Sequence, residues 1–417
     1  MGIKKIAIIG GGAAGCFAAI HIKRNLPDAE VTVYEAGTKR LAKVAVTGGG
    51  RCNLTNSFTG LRSLDEAYPR GARLMKRLFS VFDHNDVYQW FEREGVRLLT
   101  QEDNCVFPVS QDAMEIVTTL SRLMDRHGVK TKVKHRVTAI VEDNEKHQFR
   151  LSFRDHSDTI ADAVIVTTGG RRGKTDDNLL AALNIDIIEP IPSLFSFTLE
   201  DRHPLTAMTG TVVEDVSVRL TGCKTAAHGP LLITHWGISG PAILKLSSYA
   251  ARTLQETGYR ATISINWFGS SSESDVAQEL SIISSENRNK QLASAWPKRF
   301  NNRLWCYLLE ISQLRTDMRW GELGKKGFNR LIATLTNHRI IITGKNRYKD
   351  EFVTCGGVAL SSVNSSTLEC KNHKNLYFAG EVLDVDAITG GFNLQAAWTM
   401  GYVVAEAVIL QARGSGS

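Results

Sequence analysis

A glycine-rich turn near the N-terminus limits the fold of this chain more than any other feature. It has the pattern GxGxxG over residues 10–15, and it follows a mostly apolar run that begins at Ile3 and is interrupted by Lys4 and Lys5. A helix is predicted over 13–25, and the alternating stretch EVTVYE, which ends at Glu35, predicts a second strand. Strand, glycine turn, helix and strand form a βαβ unit. The chain is therefore predicted to contain a parallel sheet covered on both faces.

The spacing of this turn also predicts a ligand. Gly10 allows the tight turn, Gly12 lets the backbone approach a pyrophosphate, and Gly15 lets helix and strand pack closely. Phosphates are expected at the helix N-terminus, where free N–H groups and the helix dipole favour anions. Glu35, at the end of the second strand, is expected to bind ribose hydroxyls. An acid there disfavours a 2′-phosphate, so FAD or NAD fits better than NADP.

A second glycine-rich helix start lies near the C-terminus, in NLYFAGEVLDVDAITGGFNLQAAWTMG. A buried strand is predicted to end at Gly380–Glu381, and the pair Gly390–Gly391 precedes a helix that runs to Gln411. Two anion-favouring helix N-termini in one α/β domain fit an extended dinucleotide with a flavin half. The alternative is a helix that covers the sheet and uses its glycines only for packing.

Between these two blocks the pattern changes. Helical periodicity occupies 70–95 and 112–128, the second with Asp112 as its N-cap, and strands are predicted over 132–142, 148–153 and 161–168. Short alternating segments over 191–267 indicate antiparallel β structure. The polar stretch 270–290 is predicted to be a linker or exposed loop, and 291–338 is mostly helical. We therefore expect an α/β domain interrupted by an insertion, in four segments: 1–190, 191–270, 271–340 and 341–413.

Composition narrows the function classes. The chain has 43% apolar and 22% charged residues and lacks an apolar run long enough to span a bilayer, as is usual for a cytoplasmic enzyme without a membrane partner. Its seven scattered cysteines form no CxxC pair, which argues against a disulfide framework, a metal site and a dithiol redox centre.

The net charge of +7 favours an anionic ligand. Basic residues are densest over 288–330, and we interpret them as the solvent-exposed face of a helix. Nucleic acid is not an expected partner.

Several motifs together resemble one protein family. IAIIGGGAAG, TGGGRCNLTN, VTCGGVALSSVN and LYFAGEVLDVDAITGGFNLQAAW are similar to the flavoproteins of the HI0933-like (BaiN/YhiN) family, within the two-dinucleotide-binding-domain FAD superfamily. CVFPVSQDA and LLITHWGISGPAIL also resemble family motifs. The resemblance implies an α/β fold: a Rossmann-like FAD-binding domain interrupted by an inserted antiparallel β domain with a small helical subdomain.

The resemblance also implies bound FAD, with NADH or NADPH as a transient reductant. Residues 10–15 would hold the pyrophosphate, Glu35 the adenosine ribose, and the backbone of Val137 the adenine. Arg51 and its neighbours would lie beside the flavin. The complete set expected to contact the cofactor is Gly10, Gly12, Ala13, Ala14, Gly15, Glu35, Ala36, Thr47, Gly48, Gly49, Arg51, Cys52, Asn53, Val137, Thr168, Gly169, Gly380, Glu381, Gly390, Gly391, Phe392, Asn393, Leu394 and Gln395.

Two residues are candidates for direct chemistry. Cys52 follows Arg51, and a cationic neighbour can lower the pKa of a thiol and make its thiolate nucleophilic. The alternative for Cys52 is a small packing residue beside the flavin. His235 is the candidate for proton transfer because histidine titrates near neutral pH; its alternative is a hydrogen-bonded turn histidine.

The leading hypothesis is an FAD-dependent oxidoreductase that receives hydride from NAD(P)H and passes it to a small-molecule substrate. One alternative is a flavoprotein that acts on nucleic acid, such as a tRNA-modifying enzyme. The other is a flavin-binding module without turnover. In one place the chain departs from the family: the segment after Gly170, RRGKTDDN, is shorter and more basic than usual, which affects the substrate or nicotinamide side of the pocket.

Overall fold

The computed structural model describes residues 3–143, 145–170, 179–223, 225–346 and 353–414, and the chain divides into two units. The first unit comprises Met1–Ile191 together with Val353–Ser417, and the second comprises Pro192–Phe352. The chain therefore leaves the first unit once and returns to it near the C-terminus.

The first long segment alternates between helices and strands. In chain order its elements are β1 (Lys5–Ile9), α1 (Ala13–Asn25), β2 (Glu30–Tyr34), α2 (Ala42–Gly50), β3 (Thr55–Asn56), α3 (Leu64–Ala67), α4 (Ala72–Leu78), α5 (His84–Arg93), β4 (Leu98–Thr100), β5 (Cys105–Pro108), α6 (Ala113–Arg126), β6 (Lys130–Lys132), β7 (Val137–Asp143), β8 (Gln148–Phe153), β9 (Thr159–Ala161), β10 (Ala163–Val166) and β11 (Ile187–Pro192).

The second unit combines strands with helices. Its elements are β12 (Phe197–Thr198), β13 (Val212–Leu220), β14 (Ala226–Thr234), β15 (Gly237–Ser239), α7 (Pro241–Tyr249), α8 (Ala251–Glu256), β16 (Ala261–Asn266), α9 (Glu273–Glu286), α10 (Asn302–Ile311), α11 (Gly324–Thr336), β17 (His338–Ile342) and β18 (Gly344–Lys345). The chain then returns to the first unit through β19 (Thr354–Val358), β20 (Leu376–Phe378) and α12 (Phe392–Gly414).

The main sheet of the first unit has five strands in the order β20-β10-β1-β2-β6, and every pairing in it is parallel. Its central strand β1 is buried from Ile6 to Ile9, as expected of a strand covered on both faces. The glycine turn lies at the carboxyl end of this central strand. Smaller sheets accompany it: β3-β5-β4, β7-β8-β9 and β11-β19.

Helices α1 and α12 pack against each other although about 380 residues separate them in sequence. At their closest approach, a Cβ on Gly401 would lie 2.7 Å from the carbonyl oxygen of Ala14, so the contact requires glycine. The ring of Phe17 lies between Trp90 and Trp398, with centroid distances of 4.6 and 5.5 Å. These buried aromatic rings fix α1, and therefore the position of its N-terminus.

The second unit contains a seven-stranded antiparallel sheet in the order β17-β16-β13-β14-β15-β12-β18. Its hydrophobic core includes the fully buried rings of Trp267, Trp305 and Trp320. The family-implied fold class, a Rossmann-like α/β fold combined with antiparallel sheets, is confirmed.

The helical stretch predicted over 70–95 is two helices, α4 and α5. Helix α5 begins anew because the carboxylate of Asp83 accepts from the N–H groups of Asn85 and Asp86. The long strand predicted over 132–142 is likewise two strands, β6 and β7, which belong to different sheets.

The prediction of a linker or exposed loop over 270–290 was wrong. Helix α9 fills most of this range, and Ser272 and Asp275 form a capping box at its start. Val276 and Leu280 are buried on its inner face. The two consecutive helices α7 and α8 were also missed, within a range predicted to be antiparallel β structure. In α9, the many serines of the sequence obscured the short apolar stripe that Val276 and Leu280 form.

Candidate functional site

The first part of the site is the turn from β1 into α1. A Cβ on Gly10 would lie 2.3 Å from the carbonyl oxygen of Thr167, and one on Gly15 would lie 2.2 Å from the carbonyl oxygen of Gly10. Both positions therefore require glycine for the fold itself. A Cβ on Gly12 would meet no atom within 4 Å, and no side chain caps the helix that starts there. Gly12 thus begins a helix N-terminus beside open space, and the N–H groups of Ala13 and Ala14 follow in its first turn.

Glu35 closes this turn from the next strand. Its Oε2 accepts from the backbone N–H of Gly11 at 2.8 Å, and its Oε1 accepts from that of Gly37 at 2.6 Å. The exposed Ala36 lies between Glu35 and Gly37 in the chain. Two backbone donors hold the carboxylate at the carboxyl end of β2, beside the start of α1. Each oxygen has further lone pairs, which can accept from ligand hydroxyls.

Thr167 is a residue of the site that the sequence interpretation missed. Its hydroxyl lies 2.9 Å from the carbonyl oxygen of Gly10 and 3.1 Å from that of Ile9, and so fixes the glycine turn from the neighbouring strand β10. A threonine directly after the buried run AVIV was the available signal. The next residues, Thr168 and Gly169, line a narrow cavity together with Val382 and Glu381.

Glu381 lies just after β20, and its carboxylate accepts from three donor groups. Its Oε1 accepts from the backbone N–H of Thr354 at 2.8 Å and from the hydroxyl of Thr354 at 3.2 Å, and its Oε2 pairs with the ammonium of Lys43 at 3.0 Å. The carboxylate is thus held at the edge of the cavity. Lys43 was not recognised in the sequence, where it carries no motif of its own.

The stretch TGGGRCNLTN begins inside α2 and interrupts the last turn of that helix. Thr47 is extended, and Gly48 and Gly49 have φ values of +58° and +67°. Gly48 and Gly49 are exposed. The guanidinium of Arg51 lies 4.5 Å from the centroid of the Phe107 ring and is also exposed. The stretch is therefore an irregular turn that presents backbone and a cationic side chain.

Cys52 does not have the properties of a nucleophile. Its side chain is fully buried, and burial raises the pKa of its thiol to about 12, although a hydrogen bond with Thr47 acts in the opposite direction. Loss of hydration on burial is the main cause of this shift, so the thiol is held protonated and is not activated as a thiolate. Cys52 is a buried packing residue with a left-handed φ of +59°.

The start of α12 forms the second part of the site. A Cβ on Gly391 would lie 2.2 Å from the carbonyl oxygen of Thr55. The amide of Asn53 donates to that same oxygen at 3.0 Å and accepts from the N–H of Gly391 at 3.3 Å. The amide of Asn56 donates to the carbonyl of Gly390 at 3.0 Å. The end of TGGGRCNLTN is therefore attached to the glycine pair before α12.

Further contacts hold the loop that leads into α12. The buried carboxylate of Asp386 makes a bidentate ion pair with Arg70. The amide of Asn393 accepts from the N–H and donates to the carbonyl of Ala387, both at 2.9 Å. The hydroxyl of Tyr68 donates to the carbonyl of Phe392 at 2.9 Å. Sequence inspection found neither Arg70 nor Asp386, since 316 residues separate them.

Gln395 was expected at the cofactor edge, but its side chain faces the protein interior. It is 0% exposed; its Oε1 accepts from the hydroxyl of Thr55, and its Nε2 donates to the hydroxyl of Thr399 at 3.0 Å. The side chains of Asn393 and Gln395 are thus occupied within the protein. At this helix start the backbone N–H groups of the first turn, at residues 392–394, lack intrahelical acceptors.

Two other expected residues, Val137 and His235, have the following surroundings. Val137 begins β7, where the pairing with β8 shifts register between Val137 and Ala139. His235 is exposed in the turn between β14 and β15 of the second unit, against the ring of Trp236. The unusual segment after Gly170 falls on 171–178, outside the described residues.

Two glycine-flanked helix starts, α1 and α12, thus lie beside strands of one parallel sheet, with carboxylates at Glu35 and Glu381. The family model of the HI0933-like protein Rossmann domain matches residues 4–407. The chain belongs to the HI0933-like family. It is accordingly a flavoprotein of an FAD-binding, oxidoreductase-type family.

Members of the HI0933-like family with curated names match over nearly their whole length. A 3-dehydro-bile acid delta(4,6)-reductase of Clostridium scindens is 28% identical over 97% of this chain and 99% of its own. A ribosomal RNA dihydrouridine synthase of Haemophilus influenzae is 28% identical over 97% of this chain and 98% of its own. The Escherichia coli protein of that name is 26% identical over 96% and 97%.

Among solved structures, E. coli quinol fumarate reductase aligns with 14% identity and a TM-score of 0.49, over 100% of this chain and 72% of its own. A 3-ketosteroid-delta4-(5alpha)-dehydrogenase of Rhodococcus jostii aligns with 12% identity and a TM-score of 0.46, over 97% of both chains. None of the helices in the described ranges is long and apolar enough to cross a bilayer.

Proposed function

We propose that this protein is an FAD-dependent reductase that accepts hydride from NADH or NADPH and delivers it to an unsaturated small-molecule substrate. The arrangement of Gly12 and Glu35 at the start of α1 carries the proposal. Membership of the family supports FAD, and the names of its relatives support the direction of the reaction.

The residues at α1 fit a dinucleotide. Gly10 and Gly15 are required by their own neighbours, whereas the space beside Gly12 is open. A Cβ there would occupy space that the pyrophosphate needs, without disturbing any protein atom. The uncapped N–H groups of Gly12, Ala13 and Ala14 would donate to the phosphate oxygens.

Glu35 fits the adenosine ribose. Its carboxylate is oriented by the N–H groups of Gly11 and Gly37, so its remaining lone pairs point in fixed directions. An anionic acceptor binds two vicinal hydroxyls well and repels a 2′-phosphate. This chemistry favours FAD over a 2′-phosphorylated dinucleotide at this position.

The start of α12 fits the flavin half. Its glycine pair allows close approach, and the positive end of the helix dipole would stabilise negative charge on the reduced ring. Glu381 would contact the ribityl chain, and Arg51 would lie at the ring. When bound, FAD supplies the hydride chemistry. The protein's own contribution is to bind it, orient it and exclude water.

The names of the relatives suggest the reaction. A delta(4,6)-reductase and a dihydrouridine synthase both add hydrogen to an unsaturated substrate. We place the same step here, with a nicotinamide as hydride donor. Cys52 is buried and is not assigned as acid or base, and the role of His235 in proton transfer remains a prediction. Seven cysteines without a disulfide fit a reducing compartment such as the cytoplasm.

The first test is FAD binding to a Glu35→Gln variant. The loss of a carboxylate that accepts from ribose hydroxyls should weaken FAD binding by about tenfold or more, which corresponds to about 1.4 kcal/mol or more. Glu30→Gln is the matched control, since Glu30 begins the same strand and pairs with Lys130 at the surface. Titration of the apoprotein with FAD, followed by flavin fluorescence, measures both affinities. A purified protein that is colourless and binds no added FAD would contradict the proposal.

The reductant is tested by anaerobic mixing of the FAD-loaded protein with NADH and with NADPH. Bleaching of the oxidised flavin band, followed by reoxidation with an unsaturated acceptor, is the expected result. If the flavin stays oxidised with every donor, the protein is a binding module without turnover.

A second candidate substrate is RNA. It is favoured by the two relatives named ribosomal RNA dihydrouridine synthase and by the uneven charge of the chain. Segment 288–330 contains ten lysines and arginines and three acidic residues, and so accounts for the entire net charge of +7. The bile-acid reductase supports a small molecule instead, and substrate screening decides between the two.

A further inference from the structure

The basic residues of the second unit are concentrated in one segment. Outside 288–330, positive and negative residues are equal in number, so the rest of the chain has no formal net charge. All ten cations of the segment are exposed. They are Arg288, Lys290, Lys298, Arg299, Arg303, Arg315, Arg319, Lys325, Lys326 and Arg330.

The fold brings several of these cations together. Residues 288–293 run beside 316–321 as a ribbon: the N–H of Trp320 donates to the carbonyl of Lys290, and the N–H of Gly321 donates to that of Arg288. Arg319 is the antiparallel partner of Gln291. Cations on adjacent strands of such a ribbon lie within about one Debye length, roughly 8 Å at physiological salt, so they act together on an anion.

The helix that follows the ribbon adds two more. Lys325 and Lys326 lie in the first turn of α11, which has no acidic residue and no side-chain cap. Positive charges at a helix N-terminus oppose the helix dipole and are locally unfavourable. This part of the chain therefore tolerates a local cost to keep a positive surface.

The acidic residues that the structure describes do little to neutralise this segment. Among the described residues, Arg315 is the cation of this segment that has a carboxylate within 4.0 Å. Its partner is Asp317, at 3.2 Å. Arg299 stacks on Phe268, and Arg330 donates to Gln313. The lysines of the ribbon and of α11 remain available to a ligand's phosphates.

The surroundings favour a phosphate backbone over bases or lipid. Phe300, Trp305 and Trp320 of the segment are buried, and the partly buried rings of Trp296 and Phe328 pack against the hydrophobic core. The segment therefore offers no fully exposed ring on which bases could stack. Its one strongly apolar exposed side chain is Ile311, which is 37% exposed and too little to anchor the surface in a membrane. What remains is a positive surface that matches regularly spaced phosphates.

We propose that this surface, formed by residues 288–293, 315–321 and the first turn of α11, binds the phosphate backbone of folded RNA independently of its sequence. This proposal rests on the second candidate substrate of the proposed function, which is RNA. Phosphate contacts fix register and orientation without reading sequence, so this surface would bind RNA through its backbone alone.

The test uses the full-length FAD-loaded protein and a fluorescein-labelled RNA hairpin, with binding measured by anisotropy over a series of salt concentrations. The variant Lys290→Gln/Lys325→Gln/Lys326→Gln should raise the Kd by about tenfold or more. The slope of log K against log salt should fall by about 1 for each lysine that contacts a phosphate. Its melting temperature should be unchanged or slightly higher, since two lysines no longer oppose the helix dipole.

The matched control is Arg93→Gln/Arg97→Gln/Arg126→Gln, which removes three exposed charges from the first unit. It should bind the hairpin almost as wild type does. The proposal is overturned if the wild-type protein does not bind the hairpin at low salt, or if the lysine variant binds as tightly as the control. Binding to phosphatidylserine vesicles in place of RNA also overturns it. None of these results depends on the affinity for FAD, which the flavin titration measures separately.

Discussion

The two helix starts of the first unit, α1 and α12, offer similar N-termini to a ligand but are held in different ways. The start of α1 is fixed by residues close in sequence and by one threonine of the adjacent strand: Glu35 binds the N–H of Gly11, and Thr167 binds the carbonyl of Gly10. The start of α12 is held by contacts that span more than 300 residues, including the pair of Arg70 with Asp386.

The difference shows two ways to build the same kind of binding element. At α1 the geometry depends mainly on the glycine spacing and on the nearby Glu35, so a short sequence motif predicts most of it. At α12 the geometry depends on tertiary contacts from TGGGRCNLTN and from the segment that contains Tyr68 and Arg70. We therefore expect α12 to be far more sensitive to distant substitutions than α1.

The largest expected effect is that of Arg70→Met. Asp386 is 0% exposed and Arg70 is 11% exposed, and removal of one partner of such a buried pair typically costs about 3–5 kcal/mol. The free energy of unfolding, measured by urea denaturation, should fall by this amount. Arg97→Met, at an exposed arginine, is the control. A loss below about 1 kcal/mol would show that α12 does not depend on this pair. The double variant Arg70→Met/Asp386→Leu should recover part of the loss.

The next effect concerns the contact between the two helices. His21 of α1 packs on Phe17 and on Tyr402 of α12, and burial, with a smaller effect from Arg24, lowers the pKa of His21 to about 4. Between pH 6.5 and 4 the unfolded chain binds a proton that the folded protein does not, so stability falls as pH falls. From pH 7 to pH 5 this amounts to about 2 kcal/mol.

Urea denaturation of a His21→Gln variant at both pH values checks this. Its stability should vary less with pH than that of wild type. Equal pH dependence in wild type and His21→Gln would contradict the assignment.

The smallest effect separates fold from ligand within α1. Gly15→Ala places a methyl group against the carbonyl oxygen of Gly10 and should cost about 1–3 kcal/mol of stability. Gly12→Ala meets no protein atom, so the apoprotein should keep its stability while FAD binding weakens. Thermal melts with and without FAD measure both. Equal destabilisation of the two apoproteins would remove the distinction between a structural and a ligand-facing glycine.

The sequence predicted most of the α/β framework. Helix α1 has the predicted bounds, and Asp112 caps α6 as expected by accepting from the N–H of Met114. These features depend on local signals: periodicity, caps and glycine spacing. The roles of the cofactor-contacting residues and the four segment boundaries remain predictions.

What the sequence hid depends on contacts between distant residues. The pairing of Glu381 with Lys43, the burial of Gln395 and the high pKa of Cys52 all follow from which segments meet in space. The motif around Cys52 placed a cation beside a thiol, but it contained no information about desolvation. The error at α9 has the opposite cause. The serines at its start form a strong local helix cap, but they were interpreted as the composition of a loop.

The return of the chain to the first unit has a consequence for its synthesis. Strand β20 completes the parallel sheet on β10, and α12 covers α1, yet both emerge from the ribosome only after the entire second unit. Until then β10 exposes an unpaired edge of a slow-forming parallel sheet, which is a site where nascent chains aggregate. Completion of the first unit, and with it protection of this edge, should therefore wait for segment 376–414.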